Sequence, residues 1–236
     1  MEIKVLASGS SGNCFKVSDG ESSILLECGI PFREIKKKLR FKTAELAGVL
    51  VTHEHQDHSK AVKDFAYAGA DVYLSEGTAN AIGIEHHLVK IVYPFEKLWV
   101  GDWLVMPFDV HHDAREPLGY LLQSANTGEK LLFFADAGYI EHRFKEVTHI
   151  LGECNYSKDL SMAFSEAGLS SLSYRAKAER ILDSHMGLVT LSEYLEAMDK
   201  SNLEQVHLIH LSDQNSDAKV IADTVKAITG VEVYTY

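Results

Sequence analysis

The stretch Thr52-His53-Glu54-His55-Gln56-Asp57-His58 decides which fold and chemistry this chain can have. It contains three imidazoles and two carboxylates, and it directly follows the apolar run Gly48-Val49-Leu50-Val51. Imidazole and carboxylate are ligand types that suit zinc, manganese and iron in proteins. The pattern therefore predicts a metal site at the end of a buried strand.

Length and composition indicate a globular protein. The 236 residues are 46% hydrophobic and 24% charged, enough to bury a substantial core, and we expect one domain over residues 1–236. No apolar run approaches the roughly 20 residues that span a bilayer, and Met1-Glu2-Ile3-Lys4 does not resemble a signal peptide. We therefore expect a cytoplasmic protein without a membrane partner. The cysteines Cys14, Cys28 and Cys154 have no CxxC spacing and are expected to be reduced thiols.

The net charge of -11 argues against a wholly electropositive surface of the kind that many nucleic-acid-binding proteins use. Two local basic runs stand out against it. They comprise Arg33, Lys36, Lys37, Lys38, Arg40 and Lys42, and, more weakly, Arg175, Lys177 and Arg180. Each run fits either a solvated helix face or a binding patch. Bound divalent ions would add further positive charge inside the acidic chain.

Hydrophobic periodicity predicts an alternation of short strands and helices. Strands are expected at residues 3–7, 14–17, 23–26, 48–51, 72–74, 89–93, 103–110, 119–122, 131–134, 149–151, 206–210 and 231–234. Helices are expected at residues 31–39, from 61 to near Gly69, beyond Asp159, at 191–198 and at 216–228, the last stopped by Gly230. Pro107 predicts an edge or bulged strand. The order favours two β-rich halves packed with outer helices.

The His/Asp cluster resembles the HxHxDH motif of the metallo-β-lactamase superfamily. Its four ligand positions correspond to His53, His55, Asp57 and His58. The resemblance implies an α/β fold, a metallo-β-lactamase-like four-layer αβ/βα sandwich. It also implies two divalent metal ions, with His53 and His55 on one and Asp57 and His58 on the other.

The same resemblance implies three later ligands, each at the end of a strand. His112, Asp136 and His210 follow predicted strands in the expected order, with Asp136 as the carboxylate that bridges both ions. His111 competes with His112, since strand alternation lets only one of two adjacent side chains face the site. The match to the family segment His112-Asp113-Ala114 favours His112.

Several segments narrow the resemblance to YycJ/WalJ-like proteins, a nuclease-related branch near the tRNA 3′-processing and PhnP-like phosphodiesterases. They are Leu6 to Asn13, His112 to Ala114, Glu153-Cys154-Asn155-Tyr156 and His210 to Asn215. The resemblance implies that Ser10, Ser11 and Asn13 shape a substrate-binding loop beside the metals. A simple Ser/Gly turn is the alternative.

The resemblance implies a catalytic set of Asp57, Asp136 and His185, with metal-activated water as the nucleophile. His185 is the candidate proton donor to the departing oxygen. Its segment Ser184-His185-Met186-Gly187-Leu188 matches the family's GHLSN-type pattern only in the histidine and the apolar residue after it. A helix-capping role for His185 is the alternative.

We therefore expect a phosphodiesterase that uses two zinc or manganese ions and acts on nucleic acid, with DNA favoured over RNA and an exonuclease as the leading hypothesis. A phosphodiesterase for small molecules, such as cyclic nucleotides, would use the same metals. A non-catalytic binding module that keeps the ions is the third hypothesis, motivated by the atypical segment around His185. The oligomeric state is not predicted.

Overall fold

A computed structural model describes residues 1–157, 184–212 and 215–236. The chain divides into two compact units. The first comprises Met1–Asp109 and Ala114–Phe134, and the second comprises Val110–Asp113 and Ala135–Tyr236. The single domain expected over residues 1–236 stays a prediction. The helical segment and the weaker basic run expected beyond Asp159 lie mostly outside the described residues.

The first unit contains a sheet of six strands that follow the chain order. They are β1 (Glu2–Ala7), β2 (Cys14–Ser18), β3 (Ser23–Leu26), β4 (Val49–Leu50), β5 (Val72–Leu74) and β6 (Val89–Ile91). The first three strands pair antiparallel, as expected of segments joined by short turns, and β3 to β6 pair parallel. The carboxyl ends of β3 and β4 therefore lie at the same edge, where the His cluster begins.

Short helices connect the parallel strands of this sheet. They are α1 (Phe32–Lys38), α2 (Gln56–Ser59), α3 (Val62–Tyr67) and α4 (Glu76–Ile82), with a 3₁₀ turn at Thr43–Glu45. Helix α4 was not predicted, because its sequence lacks an apolar period. The residues at its two ends were the only indication of a helix in the sequence. The Ser75 hydroxyl caps it by accepting from the Thr78 amide, and Gly83 ends it in the left-handed conformation.

The first unit also contains an antiparallel set of strands: β7 (Leu98–Val100), β8 (Trp103–Asp109), β9 (Leu118–Ser124) and β10 (Lys130–Phe134). The bulge considered at Pro107 is absent, since β8 pairs with β9 in continuous register. On its other side, β8 pairs with β7 only through residues 103–105. Pro107 therefore lies outside the β7–β8 ladder, as the predicted edge position requires. The two strand sets share a core in which Phe15 meets Phe133 edge-on and the Tyr120 hydroxyl donates to the Val51 carbonyl at 2.7 Å.

The second unit contains the parallel strands β11 (His149–Glu153), β12 (Gln205–Ile209) and β13 (Glu232–Thr235). Helices α5 (Leu188–Ala197) and α6 (Ala218–Thr229) pack together within this unit. Asp217 caps α6. Gly230 ends the helix with φ 74°, and this stop was predicted from the sequence. The three cysteines are buried free thiols. Among the described residues, no helix has the length and apolar character that crossing a membrane would need.

Candidate metal centre

The His cluster of the first unit leaves β4 and enters α2. His53 and His58 are fully buried, with ring centroids 4.2 Å apart. The Nδ1 atom of His53 lies 2.9 Å from the Thr52 hydroxyl, and its Nε2 atom lies 3.0 Å from Nδ1 of His55. The carboxylate of Asp57 comes within 3.5 Å of Nε2 of His58. The four residues of the HxHxDH motif are thus brought together at one edge of the sheet.

Backbone contacts hold α2 against the end of β3. The amides of Asn13 and Cys28 donate to the Asp57 and His58 carbonyls at 2.7 and 2.9 Å. Gly29 allows this close approach, because a Cβ atom there would lie 1.7 Å from the Asp57 carbonyl oxygen. The short α2 therefore takes its position from neighbouring backbone, and this fixes where the side chains of Asp57 and His58 begin.

Glu27 is a functional candidate that the sequence analysis missed. It is fully buried directly after β3, has a φ of 61° and points its carboxylate at Nδ1 of His58 across 3.6 Å. Burial raises the pKa of Glu27, and the contacts with His58 and Thr52 partly offset that effect. An acidic residue at the end of an apolar strand was the signal available in the sequence.

The loop residues expected to bind substrate differ in exposure. Ser10 and Ser11 are exposed in the turn that the Gly12 amide closes onto the Gly9 carbonyl at 2.9 Å. Asn13 is fully buried. Its Oδ1 atom accepts from the Gly9 amide at 3.0 Å, which leaves its Nδ2 atom to donate to Nε2 of His58 at 3.1 Å. Asn13 therefore orders the loop and contacts a predicted metal ligand.

A second cluster lies in the second unit and joins Asp136, Glu153, His185 and His210. One potential ligand atom from each lies within 4.8 Å of the others. Nδ1 of His210 is 3.1 Å from Asp136 and 3.0 Å from Glu153. Asp136 and His210 have φ angles of 47° and 57°, a left-handed backbone that is uncommon outside glycine and concentrates at functional sites.

His112 belongs with this cluster and His111 does not. Because a carbonyl oxygen only accepts, Nδ1 of His112 donates to the Ser184 carbonyl at 2.9 Å, and this leaves its Nε2 atom as the lone-pair nitrogen. That atom lies 3.7 Å from Asp136. Burial lowers the pKa of His112, which favours the neutral form that binds metals. His111 instead stacks on Tyr139 with ring centroids 4.0 Å apart.

Glu153 organises the second cluster, a role that the sequence analysis did not give it. Its fully buried carboxylate accepts from the Ala137 amide at 2.8 Å and lies 2.6 Å from Nδ1 of His185. Burial alone would lower the pKa of His185, but the negative charge of Glu153 outweighs it and raises that pKa to about 9. The contact with Glu153 therefore favours the protonated form of His185. The helix residues it was alternatively expected to cap lie outside the described part of the chain.

The donor sets fit a divalent cation. Each cluster combines imidazole nitrogens with carboxylate oxygens in a largely buried setting, the combination that zinc and manganese accept. The supporting groups fit as well, since the second nitrogen of His112 is fixed by a carbonyl and Nδ1 of His210 faces the Glu153 carboxylate. The family and the donor chemistry together indicate divalent-metal binding.

Comparison with known proteins defines the class. The family model of the beta-lactamase superfamily domain matches residues 22–211, so the chain belongs to this superfamily. Exodeoxyribonuclease YycJ from Bacillus anthracis is 35% identical over an aligned length of 162 residues, and the match covers 62% of this chain and 58% of that protein. Exodeoxyribonuclease WalJ from Streptococcus pneumoniae serotype 2 is 28% identical over an aligned length of 233 residues, and the match covers 91% of this chain and 83% of that protein. The chain is a YycJ/WalJ-like member of the superfamily.

A solved structure supports the fold. The metallo-β-lactamase fold protein YhfI from Bacillus subtilis matches with a TM-score of 0.72 at 14% identity, covering 99% of this chain and 95% of that one. The predicted metallo-β-lactamase-like α/β fold is thereby confirmed. This chain spans little more than half the length of the YycJ relative.

Proposed function

We propose that this protein is a cytoplasmic phosphodiesterase that uses two divalent metal ions to hydrolyse nucleic acid, as an exonuclease acting on DNA. The observation that carries the proposal is the pair of largely buried His/carboxylate clusters, one in each unit. They are formed by the residues of the HxHxDH motif and of the later family segments. The names of the YycJ and WalJ relatives support DNA as the substrate. Zinc or manganese is the proposed metal.

The proposed ligand assignment follows the family motif. His53, His55 and His112 would hold one ion, Asp57, His58 and His210 would hold the other, and Asp136 would bridge them. Two ions in such a site supply Lewis-acid stabilisation of charge on the phosphoryl oxygens and lower the pKa of water at neutral pH.

The chain's own side chains would supply orientation and a proton. Glu153 accepts from Nδ1 of His185, which turns the opposite nitrogen of that ring away from Glu153. Because the Glu153 carboxylate favours the protonated ring, the Nε2 atom of His185 would donate a proton to the departing oxygen of the substrate. Glu153 also contacts His210, so one buried carboxylate would position both a metal ligand and the proton donor.

Removing the bridging carboxylate tests the proposal. Purified protein loaded with manganese or zinc should degrade labelled DNA, and Asp136→Ala should abolish this activity, since both ions would lose a ligand. Asp223→Ala, an exposed position on α6, is the matched control. A panel of DNA, RNA, cyclic nucleotides and bis(p-nitrophenyl) phosphate identifies the substrate. Cleavage that persists in Asp136→Ala contradicts the assignment, and turnover confined to cyclic nucleotides favours the small-molecule alternative.

A further inference from the structure

A basic groove in the first unit lies outside the two His/carboxylate clusters. It encloses about 220 Å³ and is lined by five cations and only two carboxylates, together with Ser23, Leu39 and Leu46. The cations are Lys4, Lys16, Lys38, Arg40 and Lys42, and the carboxylates are Glu2 and Glu45. In a chain with a net charge of -11, this is a local reversal of sign.

The strand residues of the groove are the strongest indication that it binds an anion. Lys4 and Lys16 face each other directly across the antiparallel pair of β1 and β2. Like charges in directly opposed positions destabilise a sheet, so the fold gains nothing from this pair by itself. An anion bound between the two lysines would attract both of them and offset their mutual repulsion.

The groove's charges are largely uncompensated within the protein. Lys42 forms an ion pair with Glu45 at 2.9 Å. Among the described residues, Lys4, Lys16, Lys38 and Arg40 take part in no ion pair. Favourable interaction with the helix dipole explains a basic end of α1, but it does not explain lysines on two strands. The convergence of helix, loop and strand cations therefore favours an extended polyanion.

An exposed aromatic ring adjoins these cations in the chain. Phe41 is 71% exposed, and both Arg40 and Phe41 have a left-handed backbone, with φ angles of 52° and 62°. Strained backbone of this kind persists where the surroundings impose it. Cations that follow a phosphate chain, with an aromatic ring on which a base can stack, are the combination that binds single-stranded nucleic acid.

We propose that the groove binds the phosphate backbone of a single-stranded segment of nucleic acid. The inference rests on the proposed function for its ligand class, and it makes the groove a holding site for the part of the substrate that is not being cleaved. Leu46 lines the groove and His53 begins the metal cluster at the other end of β4, at most about 23 Å away at about 3.3 Å per residue. A strand several nucleotides long could reach between the two.

Charge reversal on the strands tests the groove. Binding of fluorescent single-stranded oligonucleotides of about 20 nucleotides and of a dinucleotide is measured by anisotropy on the full chain, with a chelator present to stop cleavage. Lys4→Glu combined with Lys16→Glu should weaken binding of the long oligonucleotide at least about 10-fold. It should also reduce the slope of log affinity against log salt by about 1.4, because two phosphate contacts are lost. Binding of the dinucleotide should barely change.

The control is Lys97→Glu combined with Lys219→Glu, two exposed positions outside the groove that change the net charge equally. Lys38→Glu tests the same surface from the end of α1 should the strand variant not fold. Affinity and salt slope equal to those of the control overturn the proposal. So does a loss confined to binding of phosphatidylserine vesicles, which would assign the groove to an anionic lipid surface.

Hydrolysis of bis(p-nitrophenyl) phosphate separates this proposal from the proposed function. The metal-loaded groove variant should hydrolyse it at the wild-type rate, because the groove lies outside the metal clusters. Oligonucleotide binding that depends on the groove in a protein without phosphodiesterase activity would support the groove and contradict the proposed function. Full phosphodiesterase activity in a protein whose oligonucleotide binding does not depend on the groove would support the proposed function and contradict the groove.

Discussion

At the scale of single residues, the second cluster depends on Glu153. Its carboxylate is fully buried and contacts His185 at 2.6 Å, His210 at 3.0 Å and the Ala137 amide at 2.8 Å. A buried carboxylate with this many partners fixes the rings beside it and stabilises a cationic imidazole. The proton-donor assignment of His185 therefore depends on a neighbour 32 positions away in the sequence.

His185→Gln should distinguish a proton donor from a structural residue. Hydrolysis of DNA should fall by about 10² to 10⁴-fold, because its alkoxide leaving group needs a proton. Hydrolysis of bis(p-nitrophenyl) phosphate should fall much less, because p-nitrophenolate leaves without one. Steady-state rates on both substrates check this, with the exposed His87→Gln as control. Equal losses on the two substrates would assign His185 a structural role.

The carboxylate of Asp19 should stabilise the first unit by an amount that depends on pH. Burial alone would raise the pKa of Asp19, but hydrogen bonds from Ser124, Ser22 and Asn126 outweigh it and lower that pKa to about 2. Because the folded-state pKa is depressed, the contribution is present above the unfolded value near 3.9 and is lost as the pH falls toward about 2.

Asp19→Asn should therefore lower the free energy of unfolding by about 1 kcal/mol near pH 7, allowing for solvent screening. The difference from wild type should narrow by about pH 3. Urea unfolding at the two pH values measures it, with the exposed Asp102→Asn as reference. A difference that stays constant with pH would show that the carboxylate charge is not the cause.

At the scale of elements, the positions of the proposed metal ligands of the first unit depend on how α2 packs on the end of β3. Helix α2 has only four residues and no side-chain cap, so its own hydrogen bonds do little to place it. Its position comes from the backbone of Asn13, Cys28 and Gly29. A change in that contact should act on metal affinity rather than on general stability alone.

Gly29→Ala tests this dependence. The added Cβ atom would lie 1.7 Å from the Asp57 carbonyl oxygen, so α2 must move and carry Asp57 and His58 with it. We expect at least a 10-fold loss of metal affinity, in line with the cost of disturbing the support of metal ligands. Calorimetric titration with manganese or zinc measures the loss.

Gly128→Ala is the matched control for Gly29→Ala. Gly128 has a φ of 76° and open space around its missing Cβ, so alanine there should cost about 1 kcal/mol of stability through backbone strain. It should leave metal affinity unchanged. Equal metal affinity in the two glycine variants would show that α2 is placed by other contacts.

At the scale of the whole molecule, metal binding and folding should be linked. The proposed ligands include buried acids and imidazoles whose mutual contacts a cation would stabilise. A ligand that binds only the folded state adds about 2.7 kcal/mol at 100 times its Kd. Manganese or zinc should therefore raise the Tm by about 5 to 10 °C, and a chelator should reverse the rise.

Thermal scans at several metal concentrations check this linkage. Asp136→Ala should show little or no rise, while the exposed Asp223→Ala should behave like wild type. A Tm that does not respond to either metal in the wild-type protein would contradict the proposed centre, whatever the outcome of the nuclease assays.

The sequence by itself determined the features that short contiguous motifs carry. These include the His cluster after β4, most strands and helices, the stop of α6 at Gly230 and the order of His112, Asp136 and His210 along the chain. Hydrophobic period, turn residues and ligand spacing are local properties, so they can be recognised in one dimension.

Only the tertiary structure decided which residues support those motifs. Glu27 meets Thr52 across 25 positions and Glu153 meets His210 across 57, while Lys4 and Lys16 share a groove with the end of α1. Strand pairing and register create such contacts, and no local pattern encodes the partner of a given carboxylate or lysine. The ligand motif was therefore visible in the sequence, while the groups that orient its side chains and set their charge emerged only from the fold.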